Sequence, residues 1–98
     1  MNNDIRNALL DLFSVCLEVN GAGRFHAHMS YSGHINGVHV YVAPAETDYG
    51  DHSYTYTMEG LAYLDDELGG TPAEVLASLK ALSDRVSELL LPAQGEAA

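Results

Sequence analysis

Ninety-eight residues suffice for one domain with one modest core. With 47% hydrophobic residues the chain is expected to fold, and with 14 acids against 4 bases its net charge of −10 disfavours direct contact with nucleic acid or an anionic membrane. A lone cysteine, Cys16, excludes an internal disulfide framework; with neither a basic-then-apolar leader nor a bilayer-length apolar run, a cytoplasmic protein is expected.

In chain order, the first element reads as a helix from about Asp4 to Glu18. Ile5, Leu9, Leu12, Phe13 and Cys16 make one apolar stripe. Asn2, Asn3 or Asp4 can cap its start, and Asn20-Gly21 supplies a stop. Leu10, Val15 and Leu17 fall off that stripe, so the helix is buried on more than one side, or its second face meets a partner or a second copy.

After Gly21-Ala22-Gly23 the period changes to two. Phe25, Ala27, Met29, Tyr31, Gly33 and Ile35 alternate with His26, His28, Ser30, Ser32 and His34, and Val38, Val40 and Val42 alternate with His39 and Tyr41. Asn36-Gly37 between them is a strong hairpin signal, because both central residues of a type I′ turn need positive φ. As a two-residue turn it sets Ile35 against Val38, Gly33 against Val40 and Tyr31 against Val42.

Ala43-Pro44 ends the second strand. Ser53 to Met58 alternates again, with Tyr54, Tyr56 and Met58 on one face. Leu61 to Leu68 admits two readings. In the preferred one, Glu59-Gly60 turns the chain back and Leu61–Leu64 is a fourth strand; in the other it is a short helix ended by Gly69-Gly70. Thr71-Pro72-Ala73-Glu74 then combines a capping threonine, a first-turn proline and a reciprocal glutamate. Val75, Leu79, Leu82, Val86 and Leu89 carry the last helix to Pro92. Their spacing suits packing on the chain's own sheet, or a seam with a second copy.

The expected fold is α+β: an N-terminal helix, an antiparallel sheet of three to four strands built on hairpins, and a C-terminal helix, both helices on one sheet face. Residues 1–91 form the domain, and 92–98 a flexible tail.

Candidate chemistry is sparse. His34 falls opposite His39 in the expected register, and His26 and His28 share their face, so imidazoles are available for a metal ion or a pH response. Directly opposed Cβ atoms lie ~5 Å apart, whereas six strand residues span roughly 20 Å, so no single ion reaches all four. The loop from Glu46 through Asp51 lacks the order of a calcium loop. No nucleophile elbow surrounds Ser30, Ser32 or Ser53, and Cys16 reads as a buried, inert thiol. No enzymatic activity and no cofactor are expected.

Charge distribution is the informative feature. Between Arg24 and Lys80 there is no lysine or arginine, yet there are eight carboxylates: Glu46, Asp48, Asp51, Glu59, Asp65, Asp66, Glu67 and Glu74. Such a field favours basic partners and can stand in for phosphates before a protein that grips nucleic acid with lysine and arginine. The candidate contact residues are Glu46, Asp48, Tyr49, Asp51, Glu59, Asp65, Asp66 and Glu67, with the tyrosine supplying contact area.

The order of helix, Tyr-Ser-Gly-His-Ile-Asn-Gly-Val-His-Val-Tyr-Val hairpin and closing helix, in a short acidic chain, resembles small accessory proteins of phages and prophages of the anti-CRISPR kind. The resemblance implies a non-enzymatic inhibitor that acts in the host cytoplasm on a basic, nucleic-acid-handling protein complex. Metal or proton response through the histidines, and a homodimeric structural role, are the alternatives.

Overall fold

A computed structural model describes residues 2–48, 50, 55–65 and 67–91. The order is α1 (Asn3–Ala22), β1 (Phe25–Ser32), β2 (Gly37–Pro44), β3 (Met58–Tyr63) and α2 (Pro72–Ser87), with a short 3₁₀ turn over Glu88–Leu90. The strands form one antiparallel sheet in the order β1-β2-β3. α1 lies along β1, α2 along β3, and the helices pack on each other, so the fold is α+β as expected.

The inward side of the sheet follows from the pairing. Ala27, Met29 and Tyr31 oppose Val42, Val40 and Val38, which in turn oppose Met58, Gly60 and Ala62. The three valines have no exposed surface. Above them lie Ile5, Leu12, Cys16 and Val19 of α1 and Val75, Leu79, Leu82 and Val86 of α2, all buried in one cluster. The α2 stripe is thus consumed within the chain and is no seam for a second copy.

Both helix starts are held by side chains. Asn2 Oδ1 accepts from the backbone of Asp4 and Ile5, and Thr71 and Glu74 form a reciprocal capping box at 3.2 Å each. Such caps contribute about 0.5–2 kcal/mol. α1 runs past Glu18 and Asn20-Gly21, and stops at Gly23, whose φ of 82° suits a residue without Cβ. Asn20 instead reaches across to β1. Its amide donates to the Ala27 carbonyl at 3.0 Å and accepts from the Ala27 N–H at 2.8 Å. Val19 completes the buried stripe that Phe13 was expected to join. Phe13 is half exposed on the flank, while Val15 packs partly against the core.

The first hairpin exists, but its register differs from the expected one. Tyr31 pairs with Val38, not Val42, and the turn holds four residues, Gly33 to Asn36. Only Asn36 has positive φ, at 47°, and Gly37 enters β2. The observed register pairs all eight residues of β1, from Phe25–Pro44 to Ser32–Gly37. A two-residue turn would leave the chain before Met29 without partners. The turn is tied by Tyr31 Oη donating to Asn36 Oδ1 at 2.7 Å and by the Leu64 N–H donating to the Asn36 carbonyl at 2.9 Å. The slip is an even number of residues, so every side chain keeps its face.

The fourth strand is not formed among the described residues. Glu59-Gly60 is no turn, and no helix forms among the described residues of Leu61–Leu68. β3 runs straight through Glu59 and Gly60 to Tyr63, so Leu61 to Tyr63 is strand as preferred, in the third strand and not a fourth. Gly60 serves contact, because a Cβ there would overlap Leu82 of α2. The expected strand from Ser53 to Met58 falls partly outside the described residues, as do the tail at 92–98 and Pro92; Thr55 to Thr57 is not strand.

Two glycine substitutions test this packing in opposite directions. A Cβ at Gly69 would strike the backbone carbonyl oxygens of Tyr63 and Asp65, so Gly69→Ala is expected to destabilise by about 1–3 kcal/mol. Gly21 lies in α1 with open space around it, so Gly21→Ala is expected to stabilise by about 0.5–1 kcal/mol. Urea denaturation midpoints report both; equal shifts of one sign would contradict the assignment.

Candidate functional site

Alternation sends the other side chains of the strands to the face opposite the helices. These are His26, His28, Ser30 and Ser32 from β1, His39 and Tyr41 from β2, and Glu59, Leu61 and Tyr63 from β3. Among the described residues no helix lies on this face.

Its centre is aromatic. Tyr41 pairs with His28 across the strands, and their rings stack with centroids 4.5 Å apart and planes within 10°. His39 lies 5.2 Å from the Tyr41 ring, Tyr56 lies 4.9 Å from it, and His26 meets His28 edge-on at 6.5 Å. His39 Nε2 is 2.8 Å from Glu59 Oε2, the imidazole side chain 34% and the carboxylate side chain 52% exposed. An exposed pair of this kind adds under ~1 kcal/mol, so it orients the two groups more than it stabilises the fold. Leu61, 48% exposed, extends the surface toward Tyr63.

The expected acidic residues do not converge on one patch. Glu46 and Asp48 follow the C-terminal end of β2, whereas Asp65 and Glu67 follow the C-terminal end of β3. The strands are antiparallel, so the two groups sit at opposite ends of the sheet, about 20 Å apart. Glu59 stands on the aromatic face beside the first group. Asp48 Oδ1 accepts from the Gly50 N–H at 2.9 Å, and Asp65 Oδ1 from the Leu68 N–H at 3.2 Å, so each holds its own turn. Tyr49, Asp51 and Asp66 lie outside the described residues.

The expected histidine pairing is corrected by the register. His39 sits opposite Ser30 and Leu61, while His34 is in the turn. Among the described residues no three His, Cys, Asp or Glu side chains are placed to hold a metal ion. Cys16 is buried, and burial pushes its thiol pKa up, the direction of an unreactive cysteine. Among the described residues no helix is long and apolar enough to cross a membrane.

Sequence reasoning missed Tyr41 and Tyr56. The alternation of His39 and Tyr41 with valines marked Tyr41 as facing away from the core. Tyr56 was expected on the face of Met58. It lies instead on Tyr41, because the strand pattern breaks at Thr57, whose N–H donates to the Val42 carbonyl at 2.7 Å. The chain matches no known protein family, no curated protein and no solved structure.

His28 gives the face a pH signature. Partial burial, and then the neighbouring His26, lower its pKa below the ordinary 6.5. The folded state therefore binds this proton less readily than the unfolded state. The stability it supports is complete above pH 6.5 and is lost as the pH falls through the lower folded value. The variant His28→Gln is expected to lose less stability than the parent between about pH 7 and pH 5, read by denaturant titration at each pH. Parallel losses would contradict it.

Proposed function

We propose that this chain is a small, acidic, non-enzymatic binding protein that engages a basic protein surface through the aromatic face of its sheet. In this reading the face supplies contact area at its centre. Tyr41, Tyr56 and Tyr63 offer large, stiff side chains whose immobilisation costs little entropy. The carboxylates at the two ends, Glu46 and Asp48 on one side and Asp65 and Glu67 on the other, supply attraction around it. Tyr49, Asp51 and Asp66 adjoin these carboxylates in the sequence and complete the proposed contact set. Glu59 stands inside the face and can take an arginine in exchange for His39.

The observation that carries this reading is the division of the sheet: one face consumed by both helices, the other aromatic and bracketed by carboxylates. An aromatic centre within a charged rim is the usual anatomy of a protein interface. The net charge of −10 selects basic partners and turns away nucleic acid itself. A basic, nucleic-acid-handling surface of a host complex is the partner that fits such a field, which makes a phage-type inhibitor the biological role proposed.

Affinity capture from a bacterial lysate at low and high salt tests the proposal. The expected result is a basic protein retained at low salt, released at high salt, and lost with Tyr41→Ala. Reversing one end, as in Glu46→Lys with Asp48→Lys, is expected to weaken that partner at least tenfold, about 1.4 kcal/mol. A partner held equally by all variants would overturn the proposed surface.

A further inference from the structure

The helix layer is wider than the sheet it covers. Two helices ~10 Å across span about 20 Å, while three strands spaced ~4.8 Å span about 14 Å. The two edges of the sheet meet this difference in opposite ways. At β3, Arg85 of α2 donates to the Glu59 carbonyl at 3.4 Å and occupies that edge. At β1, the outer flank of α1 presents Leu10, Phe13 and Leu17, each more than half exposed, above a groove of about 400 Å³. That groove runs between Phe13 and Leu17 on the helix and His28, Met29 and Ser30 on the strand, and Asn20 closes one end.

The backbone of β1 faces this groove in phase. Ala27 turns its N–H and C=O away from β2, toward the Asn20 amide. Strand periodicity sends the same groups of Met29 and Tyr31 the same way, and they find no partner among the described residues. Exposed edges are ordinarily guarded by charge, proline or a bulge. From His28 to Ser32 β1 has none of these, and all its pairs with β2 are regular.

We propose that the β1 edge accepts one added strand, an extended segment of a partner protein, paired with Met29 and Tyr31 and roofed by Phe13 and Leu17. The segment carries apolar residues at alternate positions toward the helix and is neutral or basic. A second copy with its helices on the same side of the joined sheet does not fit. Each edge of its sheet lies under its own helix, so pairing would bring two helices within ~5 Å where packing needs 8–10 Å. Charge favours the same occupant. Helical spacing places Asp4, Asp11 and Glu18 on the flank of α1 away from Phe13 and Leu17, and among the described residues no carboxylate lines the groove. An acidic segment is repelled by the net charge of −10. Main-chain pairing would supply affinity and the alternate pockets selectivity.

The test uses NMR on the full chain with a panel of capped eight-residue peptides, with valine, leucine or phenylalanine at every second position and threonine or lysine between. In the free protein the Met29 and Tyr31 amides should exchange quickly with solvent at every concentration, while those of His28 and Ser30 exchange slowly. Peptides from the panel should slow exchange at Met29 and Tyr31. Leu17→Asp should weaken them at least tenfold, whereas Leu68→Asp, on an exposed side chain elsewhere, should not. Reversing Asp65 and Glu67 should leave peptide binding unchanged, which separates this edge from the acidic ends. Three results would each overturn the proposal: no peptide that protects the two amides, binding indifferent to Leu17→Asp, or protection already present in the free protein.

Discussion

Val38, Val40 and Val42 on the middle strand are the constraint on which the molecule depends. Each is flanked on both sides by a neighbouring strand and buried in one cluster with side chains of both helices, and none retains exposed surface. Burial of such a side chain contributes about 1.5–3 kcal/mol, a large share for so small a core. Once these valines point to the helices, alternation compels His39, Tyr41 and their neighbours to point away. The aromatic face is therefore a consequence of the core and needs no separate device to form.

The same constraint arranges charge and edges. Helices that saturate one sheet face leave polar function to the other face, to the loops at its ends and to the strand edges. Carboxylates follow the C-terminal ends of β2 and β3, which antiparallel pairing sends to opposite ends of the sheet. The two edges differ because α2 carries Arg85 where α1 carries Phe13 and Leu17. A small chain thus presents chemically distinct surfaces: an aromatic face, two acidic ends and one unguarded edge.

Much of the fold was legible because periodicity reports faces. The Val38–Val42 alternation, the Thr71 capping box and the helical stripe from Val75 to Val86 each stand where they were expected. Glycine was the source of error. Asn36-Gly37 and Glu59-Gly60 read as turns, since glycine tolerates positive φ, yet Gly37 and Gly60 are strand residues. A missing side chain also serves close approach, and only the packed helix reveals which use applies; Leu82 over Gly60 is such a case. The site was half legible. The acidic residues were evident, but their separation required the strand order, and the contact between Tyr41 and Tyr56 required the break at Thr57.

In the proposed function, the aromatic sheet face is the surface that meets a partner. Hydroxyl-radical footprinting of the protein, free and bound to its captured partner, tests this most directly. Tyr41, Tyr56 and Leu61 are expected to lose reactivity in the complex, while Leu68, exposed elsewhere, keeps it. Unchanged reactivity at all three in a saturated complex would contradict it and place recognition on another part of the chain.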